Sequence, residues 1–420
     1  METIILGLTV TFGLYMAWNI GANDVANAMG TSVGSHALTF KKAILIAAIF
    51  EFCGAFLAGG NVTDTISGKI LNAASIDILE ASMMKGMLAA LIGSALWIHV
   101  ATFFGLPVST SHSIIGGVIG FGLFVAGAGS IQWNQVGFIA ASWVVSPIAG
   151  ALLGAWAFIF IRNKILDTRT PLKNFVRWSP YMLFFIGLIL FTSLFFKGLK
   201  NIHLELDFFQ TLALSASISL ILSLASSRLL SRFIMKKIQN RDLLDGDQYG
   251  KQYQIIEETF KYLQIVTACF MAFAHGSNDV ANATGPIVAI IARMDLITTT
   301  GSTLNSIILG LGALGIVVGL FTYGVKVIKT IGVKITSITP SRGFSAEFGA
   351  SLTILVGSKL GLPISTTHTV VGAIVGIGFA RGIAALNLRT LKNIFSSWFI
   401  TLPAAAILTI LAYMVLDSFL

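Results

Sequence analysis

Two acidic residues interrupt apolar stretches of this chain, and each sits among amides. Asp24 lies between Asn23 and Asn27 in GANDVANA at residues 21–28, and Asp279 lies between Asn278 and Asn282 in GSNDVANA at 276–283. On a helix, residues three and four apart share a face, so carboxylate and amides converge in each copy. Helix capping by Asn and Asp explains part of the pattern, but not two further amides on one face. An ionisable group inside an apolar segment points to function. Oxygen ligands of this kind suit hard cations, so Asn23, Asp24, Asn278 and Asp279 are candidate Na⁺ ligands.

A second pair of motifs carries hydroxyls after a proline: PVSTSH at 107–112 and PISTTH at 363–368. Proline in a first turn preorganises a helix start, whose first N–H groups lack intrahelical partners. Ser109, Thr110 and Ser111, with Ser365, Thr366 and Thr367, add hydroxyl donors beside those amides. Such a helix end binds anions. One isolated copy would read as a simple Ser/Thr cap, whereas two matched copies favour an anion site.

An anion there would be repelled by Asp24 and Asp279. Residues 21–40, 107–127, 276–292 and 363–380 hold no Lys or Arg to offset that repulsion. The neutralising charge must then come from outside, as Na⁺ or H⁺, which makes sense if cation and anion travel together. Glu51 and Glu347 also lie in or beside apolar segments poor in basic residues. Each is expected to be protonated, bound to a cation, or placed at a pore or a snorkelling position. His112 and His368 lack the accompanying ligands of a metal site and read as packing or hydrogen-bonding residues. His36, His99, His203 and His275 have no counterparts in the repeat and carry no assigned role.

The elements that must hold these groups are membrane helices. Of 420 residues, 55% are hydrophobic and 11% charged, against about 25% charged in soluble domains. Twelve apolar segments are expected, at about 4–20, 41–60, 84–104, 109–127, 136–161, 181–197, 208–230, 260–280, 302–325, 346–360, 364–380 and 393–418. The stretches 21–38 and 276–292 are too polar and Gly-rich for lipid-facing helices, and are expected as broken or re-entrant backbone at the centre, with Gly21 and Gly276 permitting the break. The formal net charge of +9 fits basic cytoplasmic loops rather than nucleic acid. Cys53 and Cys269 offer neither a disulfide framework nor a metal cluster. The N-terminus lacks a basic n-region and reads as a retained first helix.

A duplication organises the chain. The two acidic motifs are 255 residues apart, the proline–hydroxyl motifs 256, and SWVVSP at 142–147 resembles SWFITLP at 397–403. Residues 1–161 form a first repeat, 162–259 two connecting helices with cytoplasmic linkers, and 260–420 a second repeat. Five crossings plus two connecting ones make an odd number, so the second repeat is expected to be inverted. Basic residues at 162–177, at 228–261 and at Lys326, Lys329, Lys334 and Arg342 mark cytoplasmic loops. Loop 61–83 has Asp64, Asp77 and Glu80 instead, and both termini are expected outside. The segment 231–259 is expected to be a solvated linker, with room for one amphipathic helix.

At the paired GANDVANA/GSNDVANA and P-[VI]-S-T-[ST]-H motifs the sequence resembles the inorganic phosphate transporter (PiT) family. The resemblance covers essentially the whole chain and implies a secondary transporter of inorganic phosphate, coupled to Na⁺ in some members and H⁺ in others. It implies that Asp24, Asn27, Asp279 and Asn282 line a shared site with both hydroxyl runs, and that Glu51 and Glu347 serve transport. Asn27 and Asn282 join the hydroxyls as candidate phosphate-binding residues. The expected protein is an all-α, multi-pass protein of the plasma (inner) membrane, not an enzyme. Its partners are inorganic phosphate, sodium ions and the lipid bilayer, with homo-oligomerisation left open, no nucleic acid and no cofactor beyond the co-transported ion. An H⁺-coupled phosphate or sulfate permease is the nearest alternative, and an anion receptor or sensor is the alternative from another class. An intramembrane hydrolase built on Ser109 and His112 lacks a supporting geometry.

Overall fold

The structure, a computed structural model, describes residues 2–72, 80–195, 206–239, 248–294, 302–324, 327–328, 335–382 and 386–420. Those residues are almost entirely helical, and the only extended pairing among them is an isolated bridge between Leu71 and Ile131. In their described residues, all twelve apolar segments read from the sequence fall mainly on helices. The first half contributes α1 (Glu2–Gly34), α2 (Phe40–Ala58), α3 (Gly60–Gly68), α4 (Glu80–Phe103), α5 (Thr110–Ala126) and α6 (Trp133–Ile161). Then come α7 (Pro171–Ser193) and α8 (Phe208–Gln239), which pack against each other. The second half contributes α9 (Gln248–Asp279), α10 (Ala281–Ile291), α11 (Ser302–Tyr323), α12 (Pro340–Lys359), α13 (Thr366–Arg381) and α14 (Leu388–Phe419).

Among the described residues, seven helices are long and apolar enough to cross a membrane, and the pair α2–α3, bent by 61°, makes an eighth. The remaining apolar segments either are short, as in α5, or carry the polar residues of the site, as in α9 and α12. Large apolar side chains cover the outside: Leu152 on α6 is 68% exposed and Phe399 on α14 is 81% exposed. Surfaces of that kind require a lipid solvent.

Some expectations change. The stretch 21–38 is not broken, because α1 runs unbroken to Gly34; its counterpart breaks only between Asp279 and Ala281. The polar side chains find partners on other helices, so the backbone keeps its own helical bonds. Gly21 and Gly276 therefore serve another purpose. A Cβ at Gly21 would collide with the Ile316 carbonyl of α11, and one at Gly276 with the Glu51 carbonyl of α2. Both glycines let helices from opposite halves touch backbone to backbone.

Within 231–259 the described residues are helical: α8 continues to Gln239 and α9 begins at Gln248. Within the expected loop 61–83, α3 runs to Gly68. Asp77, His203, Lys326, Lys329 and Lys334 lie outside the described residues.

The chain reverses direction at two hairpin tips. Helix α4 ends with Gly105 at φ 67°, and α12 with Gly361 at φ 68°, a left-handed turn that glycine adopts without steric cost. The Leu106 N–H donates to the Ala101 carbonyl at 2.9 Å and the Leu362 N–H to the Gly357 carbonyl at 3.0 Å, closing both helix ends in the same way. Two residues later Pro107 and Pro363 lead into the next helix. FGLP and LGLP thus stop one helix and start another within a few residues.

The halves interlock. Helix α1 packs on α11, α2 on α9, α6 on α12 and α13, and α14 on α4 and α5. Two hydrophobic cores result. One gathers the C-terminal part of α1 with α7, α9, α12 and α13. The other gathers the N-terminal part of α1 with α4, α5, α10 and α11. Residues 21–27 lie at the junction between them.

Candidate functional site

The tips of α4–α5 and α12–α13 meet at that junction. Ser111 Oγ donates to the Ile364 carbonyl at 3.0 Å, and Thr367 Oγ1 to the Val108 carbonyl at 3.1 Å. Trp143 Nε1 on α6 donates to the Pro363 carbonyl at 3.0 Å. Ser109 and Ser365 are the caps of α5 and α13, each accepting the N–H of the histidine three residues on, at 3.2 Å. His112 and His368 point into packing. Their rings lie 3.9 and 3.6 Å from those of Trp143 and Trp398, and 4.4 Å from each other.

Hydroxyls and acidic motifs pair in two registers. Within a half, Thr110 Oγ1 donates to Asp24 Oδ2 at 2.8 Å, and Thr366 Oγ1 to Asp279 Oδ2 at 2.7 Å. Between halves the partners are exchanged. Asn27 Nδ2 donates to Thr367 Oγ1 at 2.8 Å, while Asn282 Nδ2 donates to Thr110 Oγ1 at 3.1 Å and to Ser111 Oγ at 3.2 Å. Asn23 and Asn278 hold the tips. The Asn23 amide reaches Thr102 Oγ1 at 2.8 Å and the Leu106 carbonyl at 3.1 Å, and Asn278 reaches Ser358 Oγ and the Leu362 carbonyl, both at 3.1 Å. Asn23 Oδ1 also accepts the Val108 N–H at 3.2 Å. Every member of both motifs is buried.

Within the two acidic motifs four buried oxygens are left without a donor: Asn27 Oδ1, Asn278 Oδ1, Asn282 Oδ1 and Asp279 Oδ1. Buried acceptors ordinarily find hydrogen-bond partners. A set of carbonyl and carboxylate oxygens lacking them has the chemistry of a cation shell.

One residue missed by the sequence reading enters here. His275 on α9 lies with Nε2 2.9 Å from Asp279 Oδ2 and Nδ1 3.2 Å from Glu51 Oε1, all three side chains fully buried. These are close contacts rather than aligned hydrogen bonds, and they become ion pairs only when the imidazole is protonated. Glu51 therefore does have a basic partner. Asp24, His275 and Asp279 each offer a ligand atom within 4.8 Å of the others. The sequence held a signal for this: His275 precedes Asp279 by four, one helical turn.

Glu347 is placed differently. It is buried in α12, and its Oε1 accepts from Thr31 and Ser32 of α1 at 2.6 Å each and from Gln264 of α9 at 3.1 Å. Its Oε2 accepts from Thr267 of α9 at 2.6 Å. A pore-facing or snorkelling position does not describe it. Thr31 follows Asn27 by four on α1, so this cluster lies one helical turn from the central motifs.

Comparisons with known proteins agree with this architecture. The profile of the phosphate transporter family matches residues 20–409. A candidate phosphate permease of Haemophilus influenzae is 45% identical over 98% of this chain and 96% of its own length. The chloroplastic inorganic phosphate transporter 2-1 of Arabidopsis thaliana is 40% identical over 96% of this chain and 70% of its own length. A solved structure, the sodium-dependent phosphate transporter, superposes with a TM-score of 0.89 at 38% identity, covering 99% of this chain and 100% of that one. The relatives are transporters and permeases rather than enzymes. With helix pairs, hairpin tips and both signature motifs accounted for, the chain belongs to the phosphate transporter family.

Proposed function

We propose that the protein moves inorganic phosphate across the plasma membrane in symport with Na⁺, and that both ions bind where the hairpin tips meet. The observation that carries this reading is the set of four buried oxygens lacking donors around Asp24 and Asp279. Na⁺ fits an all-oxygen set, whereas a proton would need only a carboxylate. The similarity to a sodium-dependent transporter supports the same choice.

The hydrogen bonds suggest how coupling works. The Thr110 and Thr366 hydroxyls are held by Asp24 and Asp279. A cation on those carboxylates neutralises the acceptors and frees the hydroxyls to turn toward an anion. Phosphate then finds two helix N-termini with donors available, which it would not find beside unneutralised carboxylates. Hydrogen phosphate keeps a proton that it can donate to a carboxylate, so the site favours phosphate over sulfate. Asn23 and Asn278 hold the tips, with Asn278 Oδ1 left to face a cation. Asn27 and Asn282 serve both ions, the amide N–H ordering the hydroxyls and the oxygen facing the cation.

A second reading, H⁺ coupling, draws on His275, a proton-binding group against Asp279. Uptake into proteoliposomes with an imposed Na⁺ or proton gradient separates the two. Na⁺ symport is expected to show phosphate binding strengthened by Na⁺ over choline at fixed pH, with Na⁺ binding strengthened equally by phosphate. Equal phosphate affinity in both salts, with uptake following only the proton gradient, would replace Na⁺ by H⁺.

The same reading takes the second repeat as inverted, with residues 162–180 and 231–259 cytoplasmic and both termini outside. Single cysteines replacing Arg169 and Gln210 test it with an impermeant thiol reagent applied from outside. Labelling at Gln210 alone is expected, and labelling at Arg169 alone reverses the topology.

A further inference from the structure

A crevice of about 680 Å³ opens on the outer face of the bundle between α6, α7 and α12. It is lined wholly by apolar and aromatic side chains, among them Trp156 and Phe160 of α6, Trp178 and Tyr181 of α7, and Phe344 and Phe348 of α12. Trp156 is 60% and Tyr181 57% exposed, so the crevice opens outward rather than toward the ion site. It exists because α7 leans on its neighbours without filling the space between them.

The crevice has unlike ends. Ile161, Trp178 and Phe344 lie at one end, and Leu153, Ile189 and Leu352 at the other. At the first end the chain continues into Arg162, precedes Trp178 with Arg177, and precedes Phe344 by two with Arg342. Arg162 is fixed against the neighbouring α13: Nη1 donates to the Ala380 carbonyl at 3.0 Å, and Nε lies 3.4 Å from Asn163 Oδ1 and 3.9 Å from Asp167 Oδ2. The Arg177 guanidinium lies 5.9 Å from the Trp178 ring centroid. Asp167 offsets part of this charge, and the balance at that end remains positive. The lining residues at the opposite end carry no charge.

An apolar slot with a cationic end is complementary to one kind of molecule in a bilayer. We propose that the crevice binds an acyl chain of an anionic phospholipid, with the headgroup on Arg162 and Arg177. A helix of a second protein copy would fill the slot without supplying the anion. The bound chain would lie against Phe344 and Phe348, which flank Glu347 on α12. Lipid on the outer side of that helix and the polar cluster on its inner side would together fix its position.

The test uses the full chain, delipidated in detergent and titrated with phosphatidylglycerol or phosphatidylcholine of identical chains, read by native mass spectrometry. One phosphatidylglycerol should be retained preferentially, and R162Q and R177Q should each lower that preference by roughly fivefold. Brominated chains locate the site. Brominated phosphatidylglycerol should quench tryptophan emission beyond the phosphatidylcholine control, and W156F with W178F should remove the excess. If the arginine variants do not fold, the quenching comparison on the otherwise intact chain still decides. Equal retention of both lipids, excess quenching that survives loss of both tryptophans, or a dimer that shields them from brominated chains would each overturn the proposal.

Discussion

Glu51 and Glu347 are both buried carboxylates one step from the same centre, and the fold treats them in opposite ways. Glu51 faces a single ionisable partner, His275, which also touches Asp279. Glu347 faces no basic group in its hydrogen-bonded shell and instead accepts from three hydroxyls and an amide on two other helices. By the repeat offsets, Ser306 stands in the position of Glu51, Leu91 in that of Glu347, and Ile20 in that of His275. The motifs at the junction are duplicated and their flanks are not. Symmetry at the centre thus coexists with different polar surroundings in the two halves.

The largest expected effect breaks the ionic side. His275→Ala leaves Glu51 and Asp279 buried without their shared partner, at a cost of about 3–5 kcal/mol in stability. Adding Glu51→Gln should recover part of that loss. Thermal unfolding of the single and double variants in one detergent measures it, and strict additivity would show that the contact carries no coupling.

Glu347→Gln comes next. The amide keeps one acceptor oxygen but turns an N–H toward hydroxyls that now donate, costing about 1–3 kcal/mol. Pairing it with His275→Ala should give no extra coupling if the two environments are independent. A coupling above ~0.5 kcal/mol would join them into one network.

Gly21→Ala and Gly276→Ala probe the symmetric part. Each new methyl meets a backbone carbonyl that has no flexible end to move, so each should destabilise by about 1–3 kcal/mol. Similar losses are expected in the two variants. An effect confined to one copy would show that the helix crossings are not equivalent.

The smallest effect belongs to the caps. Ser109→Ala and Ser365→Ala should each cost ~1 kcal/mol by leaving a histidine N–H without its acceptor. Unfolding measurements that find the two losses alike would extend the symmetry to the helix starts. A loss of phosphate affinity beyond that cost would mark these hydroxyls as ligands as well as caps.

Much of the architecture could be read from residues with local causes. The apolar runs marked the helices, and Gly105–Leu106–Pro107 with Gly361–Leu362–Pro363 encoded both hairpin tips in a few letters. The hydroxyl runs and acidic motifs were legible because each recurs. What escaped the sequence reading was non-local. His275 acquires its partner Glu51 from a residue 224 positions away, and no periodicity on α9 announces a residue on α2. Gly21 and Gly276 looked like helix breakers because their neighbours are polar. Their actual cause, a facing carbonyl on another helix, lies outside any local window. The ligands of Glu347 are single Ser, Thr and Gln residues on apolar helices, indistinguishable one at a time from ordinary helix-packing groups.

The exchange of partners between halves also sets an order of events during synthesis. Asn27 is made early, and its acceptor Thr367 follows 340 residues later. At roughly 5–20 residues per second the first hairpin waits tens of seconds for its counterpart. Throughout that interval Asp24 and Asn27 stand in a bundle that lacks α13 and α14. A truncation anywhere before α13 removes partners from both copies of the site at once, Thr367 from Asn27 and Thr366 from Asp279.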